Sequence, residues 1–412
     1  MSRFNINPKK IEERINRLAS VGVKDEKLWR AIYTLEDQEA KELVARWMTD
    51  EGLKFHQDTV GNVFGRLDTS THENSEEEVI LVGSHIDTVK DGGAYDGAAG
   101  IIVGIVALSA LNKKYGRPKI PVEVVALAEE EGSRFPIGYI GSRAIVEGLS
   151  KSDLEDKDEE GITLKEAMSL AGYDPSKVQV SKRNDIKKYI ELHIEQGPVL
   201  ENTKSKIGLV ENITGIVILS IEVMGREDHA GTTPMNMRLD ALVGASKLIC
   251  KIPSLAANTS DTATATVGTM NVEPGSSNVV PNKVKFLVDI RDVNSEKLSQ
   301  LKNLINDEAI ALESSGYKVL VNCIADELPV KLDSELIDMA EEVVKNRNIP
   351  YLRMNSGAGH DAQIFTEKVP TCLLFVPCKD GRSHSPKEYA SPEDLALGAE
   401  VLAELLYKVA WE

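Results

Sequence analysis

The sequence predicts an α/β chain of two domains, one inserted into the other, and three observations lead there. Its 412 residues exceed what a single core usually holds. Apolar runs that read as buried strands, 79–83 and 121–128, alternate with helical segments, the pattern of a sheet covered by helices on both faces. From about 213 the order changes to β-α-β-β-α-β, a ferredoxin-like unit, and the helix–strand alternation resumes after 330. The boundaries expected are 1–212 with 328–412 for the outer domain and 213–327 for the insert.

The elements follow in order. Apolar residues recur at helical spacing in "IEERINRLASVG" and in "EAKELVARWMTDEGL", so residues 8–50 read as helices. "LKFHQDTVGNVFGRL" alternates like a hairpin, with Gly61 and Gly65 as punctuation. The polar, acidic stretch 68–78 reads as a solvated loop. Strand 79–83 leads through a glycine-rich segment to a buried helix over about 97–112, and strand 121–128 runs into "EEEGSRF". Residues 150–188 are irregular apart from a short helix near 163–171. "KYIELHIEQGPVLE" is a strand entering a loop. The insert contributes a strand from 213, a helix over 236–252, strands over 262–272 and 283–291, a helix over 295–314 and a strand over 317–325. Beyond it "SELIDMAEEVVKNRN" is helical, "TCLLFVP" is a strand, and the last helix starts at an N-cap, Ser391, with Asp394 three residues on.

Composition excludes several classes of partner. With 65 acids against 48 bases the formal charge is −17, which repels nucleic acid and anionic membrane surfaces. The N-terminal segment is charged and amphipathic, unlike a signal peptide. The run 97–111 is too short and too rich in glycine and alanine for a membrane span. Four cysteines without CxxC spacing make no disulfide framework, so a cytoplasmic location is expected.

The chemistry gathers in loops. Of seven histidines, five (His85, His193, His229, His360 and His384) stand in short loops beside Gly, Ser or Pro. A lone loop histidine is ordinarily just solvated, the reading that suits His56 and His72. In "SHID" an extended chain points His85 and Asp87 the same way, so Asp87 can accept a hydrogen bond from the second imidazole nitrogen and fix the tautomer of a metal ligand. Asp96 follows in "GGAYDGAAG", where glycine permits close backbone approach; a capping aspartate before the next helix is the plainer reading. Glu129, Glu130 and Glu131 crowd the end of a buried strand. On an extended chain 129 and 131 face one way and 130 the other, so one face can ligate a cation while the other handles protons. "ELHIEQG" places His193 at a strand end and "GRSHSPKEY" places His384 after a turn. Imidazole and carboxylate donors on separate loops suit a divalent metal, and aspartate can bridge two ions.

Taken together, "GSHIDTV", "YDGAAG", "EEEGSRF", "ELHIEQGPVLE", "HAGTTPM", "SGAGHDA" and "GRSHSPKEY" resemble the amidase branch of the dinuclear metallopeptidase superfamily. That hydantoinase/carbamoylase branch holds N-carbamoyl-L-amino acid hydrolases, allantoate amidohydrolases and β-ureidopropionases. The resemblance implies a phosphorylase/hydrolase-like mixed-sheet catalytic domain with the ferredoxin-like insert as a dimerisation and lid domain. It implies two divalent ions (Zn, Mn, Co or Ni), one on His85, Asp96 and His193 and the other on Asp96, Glu130 and His384. Glu129 would be the general base and Asp87 its orienting neighbour. His229 would polarise the scissile carbonyl, Asn278 and Arg291 would bind a carboxylate, and Gln196 and Gly359 would contact the ureido and carboxylate groups. Taken alone, Arg291 between two aspartates reads as an ion pair. Peptidase members of the superfamily usually carry a carboxylate where this chain has His193. The expected reaction is hydrolysis of a ureido amide on a small carboxylate by a homodimer, against a dipeptidase or aminoacylase, or a non-catalytic relative that keeps the fold.

Overall fold

The structure, a computed structural model, describes residues 3–69 and 78–412. Most of the acidic loop expected over 68–78, with His72, lies outside the described residues. The chain divides into two compact units, Met1–Glu211 with Leu332–Met354 and His360–Glu412, and Asn212–Lys331 with Asn355–Gly359.

The first unit is built on a mixed sheet. Its strands run in the order Ile207–Ile213, Thr371–Val376, Ile186–Ile194, Val79–His85, Val122–Leu127, Val63–Leu67 and Lys54–Gln57. The four from Thr371–Val376 to Val122–Leu127 are parallel, and the flanking pairs are antiparallel. All seven residues of Val79–His85 are buried, as expected of a parallel strand covered on both faces. Helix Ala98–Tyr115 lies against the parallel strands and against the C-terminal helix Pro392–Ala410. A Cβ on Gly100 would stand 2.3 Å from the Leu192 carbonyl oxygen, so only glycine lets this helix sit so close to the sheet. The helix has the length and apolar composition of a membrane span, but most of it is buried within this unit. Ser391 caps the C-terminal helix, its Oγ accepting the Asp394 N–H at 3.0 Å.

Two strands go beyond the sequence expectation. Ile207–Ile213 is separated from Gly215–Met224 by Thr214 alone, so the pair reads as one apolar run. Tyr351–Ser356 is mostly half-buried and lacks clean alternation; its Arg353 is engaged by Glu211, Asp338 and Glu341.

The second unit carries a four-stranded antiparallel sheet in the order Thr264–Glu273, Lys283–Asp292, Gly215–Met224, Lys318–Glu327. Helices Ala241–Thr259 and Ser295–Ala311 share a core with Val284, Phe286, Val288 and Ile290, alternate residues of one strand. The helix expected over 236–252 begins at Ala241, where the Asp240 carboxylate accepts the N–H groups of Leu242 and Val243, and it continues through Pro253 to Thr259.

The N-terminal helices are tied down by one buried carboxylate. Glu51, with its side chain 5% exposed, accepts from Arg14 at 2.7 Å, Lys113 at 3.0 Å, Lys10 and Ser109. Burial alone would raise its pKa, but Lys10, Ser109, Lys113 and Arg14 hold it well below the ordinary value. Glu51→Ala should leave the buried Arg14 uncompensated and cost about 3–5 kcal/mol in urea unfolding. Because the folded-state pKa is depressed, the wild-type contribution is complete above the unfolded carboxyl value of about 4.3 and fades as pH falls below it. The stability gap between wild type and variant should therefore narrow between pH 7 and pH 3.

Candidate metal centre

The site forms where the parallel strands of the first unit end, the place where α/β sheets present ligand-binding loops. Val79–His85 delivers His85, the turn after Val122–Leu127 delivers the three glutamates, and Ile186–Ile194 delivers His193. The loop before helix Ala98–Tyr115 adds Asp96, and the turn after Thr371–Val376 adds His384.

Asp96 is the meeting point. Its Oδ1 lies 3.3 Å from His85 Nε2 and 3.0 Å from His193 Nε2. Its Oδ2 lies 3.2 Å from His384 Nε2 and 3.0 Å from Ser383 Oγ, and accepts from Gln196 Nε2 at 2.9 Å. Burial alone would raise the Asp96 carboxyl, but His193, His384 and His85 hold it well below its usual range. His384 is pushed up to about 10 by Asp96 and by Glu131, whose Oε1 is 3.3 Å away.

The outer nitrogens of the buried histidines are oriented. His193 Nδ1 is 2.8 Å from the Ile194 carbonyl, which can only accept, so this nitrogen carries the proton. His85 Nδ1 faces both the carbonyl and the carboxylate of Asp87 at 3.3 Å. In the neutral imidazoles both Nε2 lone pairs then point at a carboxylate oxygen. That arrangement is repulsive unless a proton or a metal cation stands between the groups.

The Asp87 carboxylate also accepts the backbone N–H of Glu130 at 2.9 Å and of Glu131 at 3.2 Å. Here the grouping of the glutamates differs from the sequence expectation. Glu131, not Glu130, groups with Asp96 and His384, while Glu130 groups with His85 and Glu131. Glu129 turns away. It is fully buried, accepting the N–H of Ile32 at 3.4 Å and of Arg134 at 3.2 Å. Burial and the nearby Asp87 push its carboxyl up to about 8. The reason is local: the strand ends at Leu127 and Glu129 has φ +43°, so the two-residue alternation of an extended chain no longer applies. Gln196 and His384 also have positive φ, at 59° and 52°, and such strain at three site positions implies that surrounding contacts hold them there.

Several neighbours escaped the sequence reading. Glu388 and Ser383 line the Asp96 loop, and Glu191 lies fully buried behind His193. Glu191 accepts from Ser84 at 2.7 Å, the Ala362 N–H at 3.0 Å and the Tyr189 hydroxyl at 3.3 Å. His360 packs edge-on against His193, with ring centroids 4.7 Å apart, and burial pushes it well below its ordinary pKa. Asp361 accepts from Ser142 at 2.6 Å. The only signals for Ser383 and Glu388 were their places within "GRSHSPKEY", and a strand-interior glutamate such as Glu191 gives none.

The second unit holds the remaining expected residues. His229 is exposed, and its Nδ1 accepts the N–H groups of Gly231 at 3.0 Å and Thr232 at 3.2 Å, which leaves the ring proton on Nε2. His229 pairs with Val279 in a short antiparallel ladder, and the carbonyl of the adjacent Asn278 accepts from Ala230 at 3.0 Å. Arg291 makes a two-pronged bond to Asp289, both contacts 2.8 Å, and donates to the Gly357 carbonyl at 2.7 Å. The ion-pair reading of Arg291 is therefore realised. Gly359 belongs to the short Asn355–Gly359 segment of this unit.

A covered α/β sheet whose strand ends gather three histidines and several carboxylates is the frame of a metallohydrolase. The chain belongs to the peptidase family M20/M25/M40, which it matches over residues 81–408. It is 40% identical over 407 residues to an allantoate amidohydrolase of Bacillus subtilis (strain 168), covering 97% of each chain. It is 37% identical to an N-carbamoyl-L-amino acid amidohydrolase of Geobacillus stearothermophilus, over 98% of this chain and 99% of that one. The crystal structure of a hydantoinase/carbamoylase family amidase from Burkholderia multivorans superposes with a TM-score of 0.90 at 32% identity, covering 99% of this chain and 98% of that one.

The family is metal-dependent, and the residues present fit a divalent ion. The donor groups His85–Asp96–His193 and Asp96–Glu131–His384 each keep their ligand atoms within 4.8 Å of one another. Zn²⁺ or Mn²⁺ added to chelator-stripped protein should accordingly raise its Tm by mass action, and Asp96→Ala should abolish the shift. Differential scanning calorimetry of both proteins checks this.

Proposed function

We propose that this chain is a metal-dependent amidohydrolase that cleaves the ureido C–N bond of a small carboxylate, an N-carbamoyl-L-amino acid or allantoate, releasing ammonia and CO2. The observation that carries the reading is Gln196. Its Nε2 is spent on Asp96 and Ser383, while its buried Oε1 has no hydrogen-bond partner among the described residues. A buried lone acceptor beside the candidate metal centre suits the NH2 of a ureido group, which a peptide bond lacks. The relatives named above, an allantoate amidohydrolase and an N-carbamoyl-L-amino acid amidohydrolase, support the same class of bond.

His85, Asp96 and His193 would hold one divalent ion, and Asp96, Glu131 and His384 a second, with Zn, Mn, Co or Ni compatible with this N/O donor set. When bound, such a pair supplies Lewis-acid polarisation and a lowered pKa for water. Glu130 is the proposed general base in place of Glu129: it takes a proton from the attacking water and delivers it to the leaving nitrogen. Asp87 fixes Glu130 and Glu131 by accepting their backbone N–H groups. In the second unit, the proposed lid and dimerisation domain, His229 offers Nε2–H to the developing oxyanion. Asn278, Arg291 and Gly359 are assigned to the substrate carboxylate, and Asp289 holds the plane of the Arg291 guanidinium. A homodimer is supported by the outer strand Thr264–Glu273, which among the described residues pairs on one side only and exposes Met270.

Metal-reconstituted protein should release ammonia from at least one of N-carbamoyl-L-amino acids, allantoate and β-ureidopropionate; silence on all three would overturn the reading. Glu130→Gln should lower kcat by about 10²–10⁴-fold while metal content, read by elemental analysis, stays intact. Glu129→Gln should act mainly on thermal stability, because that carboxylate serves two backbone N–H groups.

A further inference from the structure

Resting on the metal centre proposed above, we infer that Glu388 is a positioning residue: it clasps the loop that carries Asp96 to the turn that carries His384. Glu388 is 5% exposed and lies four residues beyond His384. Its Oε1 accepts the backbone N–H of Tyr95 at 2.8 Å and of Asp96 itself at 3.0 Å. Its Oε2 accepts the hydroxyl of Ser383 at 2.7 Å. Ser383 lies 3.0 Å from Asp96 Oδ2 and accepts from Gln196 Nε2 at 3.3 Å. One carboxylate thus holds the backbone of the central ligand and the Ser383 hydroxyl that stands beside Asp96 and accepts from Gln196.

The loop is shaped around this carboxylate. A Cβ on Gly93 would fall 2.2 Å from both Cδ and Oε1 of Glu388, so glycine at 93 is what lets the side chain reach the Asp96 N–H. The next residue, Tyr389, packs edge-on against Tyr95 at 5.6 Å, a second tie between the same two segments. Neither Glu388 nor Gly93 belongs to the donor groups themselves. Their effect is on where Asp96 sits among His85, His193 and His384. Groups that orient metal ligands in this way typically carry a 10–100-fold share of metal affinity.

The test compares wild type with Glu388→Ala, Glu388→Gln and Gly93→Ala, reading the Kd for Zn²⁺ by competition with a chromogenic chelator, the Tm of chelator-stripped protein, and kcat against KM. Glu388→Ala should weaken Zn²⁺ binding about 10–100-fold and lower kcat more than it raises KM. Glu388→Gln keeps an acceptor for the two N–H groups and should restore most of the affinity. Gly93→Ala reaches the same clasp from the other side and should reproduce the Glu388→Ala loss. An unchanged Zn²⁺ Kd in Glu388→Ala with a lowered Tm of the stripped protein would make Glu388 merely structural and overturn the inference. Should Glu388→Ala fail to fold, wild-type affinity in Gly93→Ala overturns it equally. Zn²⁺ affinity and stripped-protein Tm do not depend on which substrate is cleaved, so failure of the clasp is distinguishable from failure of the ureido reading.

Discussion

The structure of the first unit turns on the burial of one carboxylate, Asp96, among three imidazoles. A buried charge needs compensation: the three imidazoles supply part of it, holding the Asp96 carboxyl well below its usual range, and a divalent cation would supply more. The compensation a divalent cation offers is large, and it is local to the ends of the parallel strands. The Asp87 bonds to the glutamate turn and the positive φ of Gln196 hold the surrounding side chains in place about Asp96.

Close approach is the second constraint. Helix Ala98–Tyr115 sits tightly on the sheet because Gly100 has no Cβ to strike the Leu192 carbonyl. Asp96 stands just before that helix, so its position is inherited from helix–sheet packing, while the C-terminal side of the chain reaches it through Ser383 and Glu388. Stability and site geometry are therefore set by the same contacts, and residues with no ligand atom of their own still bear on the ligands.

Much of the fold was legible beforehand. Val79–His85 and Val122–Leu127 announced themselves as continuous apolar runs because both their faces are covered. In the second unit the long strands and helices follow one another as β-α-β-β-α-β, and its sheet is antiparallel. Strand Tyr351–Ser356 was not, since a half-buried strand with a charged arginine carries no strong period. Nor was the capture of Asn355–Gly359 by the second unit, which depends on contacts far apart in sequence.

The sequence by itself determined the candidate donors and their order: His85, Asp96, a glutamate run, His193 and His384 stand at strand ends or in the loops that follow them, and the neighbouring glycines say that space is needed there. Which glutamate stands beside which histidine was decided only in three dimensions. A single backbone angle at Glu129, φ +43°, ends the strand's alternation, and the Asp87 carboxylate takes hold of the next two N–H groups. Side-chain direction past a strand end depends on local dihedrals and on partners distant in the chain, and neither is encoded in residue spacing.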